Sequence, residues 1–198
     1  MAGQDLTVAC RCGAFEAIIK DASPKSGSHL LCYCKDCQAE AHYLGATDYL
    51  ETGGATDIYQ TTPDRIAFVK GVERLACLRL SPKGLLRWYC DCCNTPMFNT
   101  LASPKLAFVG VFTKTLQGSE ASDAIGPLIG VANVDGVSHD MAPPKRRGEI
   151  RAFAKVLLRQ GRAMLRGTVG QTPFFDTAGQ PVVTPKILTL DERKAATP

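Results

Sequence analysis

The chain predicts a mainly β fold with metal-holding knuckles and a C-terminal amphipathic α-helix, on three observations. Between residues 6 and 112, short runs rich in Val, Ile, Leu, Tyr and Phe alternate with Gly, Pro and Ser. All nine cysteines but Cys77 fall into three tight groups, Cys10–Cys12, Cys32–Cys37 and Cys90–Cys93. From Gly148 to Arg166, apolar residues recur at helical spacing.

In chain order, strands are expected at Leu6–Cys10, Phe15–Lys20, Arg65–Val69, Leu75–Leu80, Leu85–Tyr89 and Leu106–Phe112. Ser23-Pro24, Gly53-Gly54, Thr62-Pro63, Ser81-Pro82-Lys83-Gly84 and Ser103-Pro104 mark turns between them. Connections this short leave no room for crossover helices, so antiparallel pairing is expected. Residues 37–50 include a short helix, and residues 118–139 read as irregular. In the helix at about 148–166, Ile150, Phe153, Ala154, Leu157, Leu158 and Leu165 form one side. Arg151, Lys155, Arg159, Arg162 and Arg166 lie largely on the other. The Ile150–Phe153–Leu157 side is expected to pack on the β core. Val182-Val183 and Ile187–Leu190 read as strands or an extended arm. The chain thus divides into a cysteine-rich β domain over 1–115 and an extension over 116–198, packed on the same domain.

A composition of 45% hydrophobic and 21% charged residues fits a soluble globular protein and excludes a disordered or fibrous chain. The first ten residues lack the basic and apolar regions of a secretory signal, so a cytoplasmic location is expected. The weakly polar stretch Ala124–Val137 is broken by Gly126, Pro127, Gly130, Asn133 and Asp135, and no membrane segment is expected. Basicity belongs to the tail: residues 145–198 carry eleven Lys/Arg against four Asp/Glu, the rest twelve against fifteen. A solvated basic helix face explains this better than nucleic-acid binding, because no aromatic residues for base stacking are interleaved with the arginines.

Thiols grouped in a reducing compartment are metal ligands or redox groups more often than disulfides. Two thiolates one or two residues apart share one tight turn and reach the same ion, which makes zinc the first candidate, with iron open from spacing alone. Cys10 to Gly13 and Cys90 to Pro96 each read as a knuckle at a strand end, where Gly13 supplies a positive φ. Cys34-Lys35-Asp36-Cys37 could also be a dithiol redox pair. Cys77 reads as a small buried residue, and Cys92 as a spectator pointing away from Cys93.

The order Cys10-Arg11-Cys12-Gly13, Cys32-Tyr33-Cys34-Lys35-Asp36-Cys37-Gln38, Trp88-Tyr89-Cys90-Asp91-Cys92-Cys93-Asn94-Thr95-Pro96 resembles the glutathione-dependent formaldehyde-activating enzyme (Gfa) family, or centromere-protein-V-like group. The resemblance covers about residues 5–115 and implies an Mss4-like antiparallel β fold. It assigns a structural zinc to Cys10, Cys12, Cys90 and Cys93, and a second zinc with an exchangeable fourth position to Cys32, Cys34 and Cys37. It implies a carbon–sulfur lyase-type reaction, in which a thiol such as glutathione and an aldehyde such as formaldehyde form an adduct. Asp36, His42 or Tyr43 would bring a proton to the developing alkoxide. The alternative is a non-catalytic zinc-stabilised binding module or thiol carrier. Two stretches depart from the family's pattern, Gln38–His42 and Asn94, where glycines are usual; Asn94 can still adopt the left-handed conformation.

Overall fold

The structure, a computed structural model, describes residues 3–198. Its first half holds β1 (Gln4–Ala9), β2 (Glu16–Ala22), β3 (Ser28–Cys32), α1 (Lys35–Tyr43), β4 (Leu50–Glu51), β5 (Ala55–Thr61), β6 (Ile66–Lys70), β7 (Leu75–Arg79), β8 (Leu86–Cys90) and β9 (Thr95–Thr100). Then follow β10 (Val109–Phe112), α2 (Ala121–Ile125), β11 (Gly130–Ala132), α3 (Glu149–Leu165), β12 (Lys186–Ile187) and α4 (Leu190–Ala196).

Period-two alternation shapes the outer strands: in β1, Leu6 and Val8 turn inward while Asp5 and Thr7 face solvent. β9 and β10 are buried along their whole length and occupy the middle of the larger sheet. β1, β2 and β6 form a three-stranded antiparallel sheet. The other nine strands run β11-β3-β5-β10-β9-β8-β7-β12, with β4 beside β5. This larger sheet is mixed: its strands up to Phe112 pair antiparallel as expected, while β11 pairs with β3, and β12 with β7, in parallel. Both added strands come from beyond residue 115, along connections long enough to bring the chain back in the same direction.

The main core lies between the two sheets, where Leu6, Val8 and Ile19 meet Trp88, Phe98 and Val111. Phe174 of the extension is fully buried there, with ring centroids 5.1 Å from Trp88, 5.3 Å from Phe98 and 5.2 Å from Phe68. Trp88 satisfies its indole N–H by donating to Thr100 Oγ1 at 2.9 Å. Cys77 is buried in β7, and that burial pushes its thiol up to about 12.

α3 spans the expected residues but turns the other way. Ile150, Phe153 and Leu165 are 87, 63 and 90% exposed, and Leu157, Leu158 and Met164 are exposed beside them. The inward face is Ala152, Arg159 and Ala163. Small alanines let the helix backbone approach the sheet, and the Arg159 stem fills the space between them. Periodicity located a face without deciding which one the core would take. No helix among the described residues is long and apolar enough to cross a membrane.

Candidate metal centres

β1 runs into Cys10 and β8 ends on Cys90, so the first and third cysteine groups meet where the two sheets adjoin. The sulfurs of Cys10, Cys12, Cys90 and Cys93 all lie within 4.8 Å of one another. The two turns take left-handed conformations, at Gly13 (φ 71°) and at Asn94 (φ 54°). The Phe15 amide donates to Cys10 Sγ at 3.2 Å, and the Arg11 amide ties its loop to Thr95 Oγ1 at 3.2 Å. Burial pushes the Cys93 thiol up, but the Thr95 hydroxyl and amide and the Cys12 group outweigh it and carry Cys93 down to about 6. The Cys92 sulfur lies 2.7 Å from Cys12 and 3.3 Å from Cys90, a fifth thiol against the cluster.

The middle group is assembled by a strand end and a helix start. Cys32 closes β3, Cys34 is the N-cap of α1, and Cys37 lies in its first turn, with its amide donating to Cys34 Sγ at 3.3 Å. The three sulfurs lie within 4.8 Å of one another, Cys34 and Cys37 being 3.1 Å apart. Hydrogen bonds from Cys34 and Cys37 hold Cys32 down to about 3. The hydrogen bond with Cys32 pushes Cys34 well above the thiol range and Cys37 up to about 11. One negative charge among three crowded thiols is thus favourable, and a second or third needs a cation. Both donor sets suit a soft, thiolate-preferring metal ion. Asn133, from the extension, donates Nδ2 to Cys32 Sγ at 3.3 Å. Gln38 Nε2 donates to Tyr33 O and Gly136 O, which locks the Asn133 loop against α1.

Cys32 and Cys37 line a cleft of about 480 Å³ bounded by Asn99, Asn133, Arg146 and Phe153. α3 forms one wall through Glu149, Ala152, Phe153 and Val156, while its own arginines do not face the cleft. Neither Asp36 nor His42 is among the residues lining it. Asp36 sits in an ion-pair network with Arg193 at 3.2 Å and Arg87 at 3.9 Å, joining α1 to α4. His42 is exposed at the C-terminal end of α1, and the Tyr43 hydroxyl binds Lys186.

Glu40 is the ionisable residue that sequence reasoning missed. It is fully buried three residues after Cys37, paired with buried Arg87 at 2.5 Å, and its Oε1 has no hydrogen-bond partner among the described residues. Burial pushes it up to about 7 against the pull of Arg87. The i, i+3 spacing from Cys37 placed it on the sulfur-bearing face of the helix and was the available signal.

Comparison with curated proteins returns no match. Among solved structures, the crystal structure of a Rhodobacter sphaeroides protein aligns at 16% identity and a TM-score of 0.41, over 62% of this chain and 96% of that one. The profile described as Family of unknown function (DUF6151) matches residues 3–185, across both the cysteine-rich sheets and most of the extension, and the chain belongs to that family.

Proposed function

We propose that this protein is a zinc-dependent, carbon–sulfur lyase-like protein that forms or breaks a thiol–aldehyde adduct at Cys32, Cys34 and Cys37. The observation that carries this reading is a three-sulfur set, one ligand short of a closed tetrahedral site, on the wall of a cleft. The order of the cysteine groups, which resembles that of the Gfa family, supports it. Cys32, Cys34 and Cys37 would hold a zinc ion there, which would supply the Lewis acidity to lower the pKa of an incoming thiol such as glutathione. In the reaction, the thiol sulfur bonds to the carbonyl carbon of a formaldehyde-type aldehyde, the C=O π pair moves to oxygen, and the thiol's proton ends on that oxygen. Asn133 holds the Cys32 sulfur in place, while Arg146 at the cleft is already paired with Asp135 and Glu149. Cys10, Cys12, Cys90 and Cys93, whose sulfurs lie within 4.8 Å of one another, would hold a structural zinc.

The positions of Asp36 and His42 favour a second reading, a thiol-binding module or carrier without turnover, because neither lines the cleft. One experiment separates the two: the exchange rate between formaldehyde and S-hydroxymethylglutathione, measured by NMR with and without protein. Acceleration that Cys34→Ser abolishes supports the enzyme. Glutathione binding at an unchanged exchange rate supports the carrier, and neither effect refutes both.

A further inference from the structure

A second cleft, sharing no lining residue with the first, lies at the other end of α3. It has a volume of about 290 Å³ and is walled by Arg159 and Arg162 of α3, by Arg166 at its C-cap, and by Lys25 and Arg65. Arg159 is 7% exposed, an unusual position for a guanidinium with no carboxylate partner among the described residues. Its Nη1 donates to Ser28 Oγ at 2.9 Å, while Nη2 is buried without a hydrogen-bond partner among those residues. A buried donor left in this state carries a cost, and the rest of the Arg159 side chain contributes positive charge to the cleft wall.

Two acidic residues line the same cleft. Asp21 is already neutralised by Arg65 at 2.6 Å, which leaves Asp64 against Lys25, Arg159, Arg162 and Arg166. Ser23, Ser26, Thr62 and Thr168 add hydroxyl groups. A single guanidinium fork satisfies a carboxylate, whereas a phosphate monoester brings about two negative charges and three acceptor oxygens for donors arriving from several directions. Lys25, Arg159 and Arg162 also line an adjoining cleft of about 330 Å³ with Pro24 and Leu158, which leaves room for an organic substituent.

We propose that Lys25, Arg159, Arg162 and Arg166, which converge on this cleft, form a binding site for the phosphate group of a monoester. The site is independent of the metal chemistry. Two sources share this chemistry, a free phosphorylated metabolite and an anionic lipid headgroup, and the exposed apolar side of α3 beside the cleft makes the second worth a separate arm.

The test is calorimetric titration of the zinc-loaded protein, residues 1–198, with inorganic phosphate at constant ionic strength, with acetate as the comparison. A parallel arm sediments the protein with phosphatidic acid or phosphatidylcholine vesicles. Saturable phosphate binding, at least about tenfold tighter than acetate and weakened at least about tenfold by Arg162→Gln/Arg166→Gln, supports the free-ligand source. Sedimentation with phosphatidic acid only, lost in the same double variant, supports the lipid source. Arg159→Gln should abolish either signal; the double variant, altered only at exposed positions, keeps the test decisive if Arg159→Gln does not fold. Cys34→Ser should bind phosphate like the wild type. The proposal is overturned if neither arm shows binding, if acetate matches phosphate, or if the double variant binds unchanged.

Discussion

The Asn133 side-chain amide donates to the Cys32 sulfur at 3.3 Å, so a residue of the extension completes the surroundings of a cysteine group in the β domain. Asn133 holds a left-handed conformation at φ 55°, which glycine adopts without strain. Asn133→Gly therefore removes the donor and keeps the loop. It should weaken zinc at the middle group by about 10–100-fold in chelator competition, with the metal at Cys10, Cys12, Cys90 and Cys93 retained as tightly as before. Equal loss from both groups would contradict this.

The two cysteine groups should respond differently to loss of one sulfur. Cys12→Ser opens a set that joins the two sheets, and binding energy of a structural zinc is largely folding energy. That variant should lose its cooperative unfolding transition or aggregate. Cys34→Ser should keep a wild-type circular dichroism spectrum and lose one metal. Equal damage from both would mean that the middle group is structural too.

His29 sets a pH dependence. Its Nε2 lies 2.8 Å from Asp57 Oδ1 and its Nδ1 2.7 Å from Gly126 O, so both nitrogens face acceptors and only the imidazolium satisfies both. Burial opposes the charge, but the bonds to Asp57 and Gly126 prevail and the ring titrates above its ordinary value. The stability this adds is complete below the unfolded value of about 6.5 and is lost as pH rises through the folded value. The unfolding free-energy gap between wild type and His29→Gln should be larger at about pH 5.5 than at about pH 8.5. A gap that widens with pH would contradict the assignment.

Phe174 and Leu165 test how the extension packs. Phe174→Ala removes a fully buried ring from the aromatic cluster and should cost about 3–5 kcal/mol in denaturant unfolding. Leu165→Gln, on the outward face of α3, should change stability by no more than about 0.5 kcal/mol. A large loss from Leu165→Gln would restore the expected inward apolar face.

Much of this architecture was legible from the residues. Apolar runs bounded by Gly, Pro and Ser located β1, β2, β6 to β8 and β10 within a few residues, and the cysteine spacing anticipated both sulfur sets. β9 escaped because Pro96 argues against a strand. It is accommodated opposite Tyr89, where the pairing register shifts and the missing N–H disrupts the ladder least. β3 and β5 carry Ser28, His29, Thr56, Asp57 and Gln60 among their apolar residues, which masks the period. The sense of α3, the burial of Phe174 and the Cys32–Asn133 contact depend on long-range packing, for which local pattern holds no signal. Asp36 and His42 were close to the sulfurs in sequence, but helix geometry carries them to other faces of α1.

Zinc and free thiols per chain, measured on anaerobically purified wild-type protein before and after glutathione, decide whether the middle cysteine group is an open metal site. About two zinc ions per chain are expected, with the second lost in Cys34→Ser and perturbed by glutathione only in the wild type. About one zinc per chain, unaffected by Cys34→Ser, with Cys32, Cys34 and Cys37 metal-free or joined by a disulfide, would contradict it.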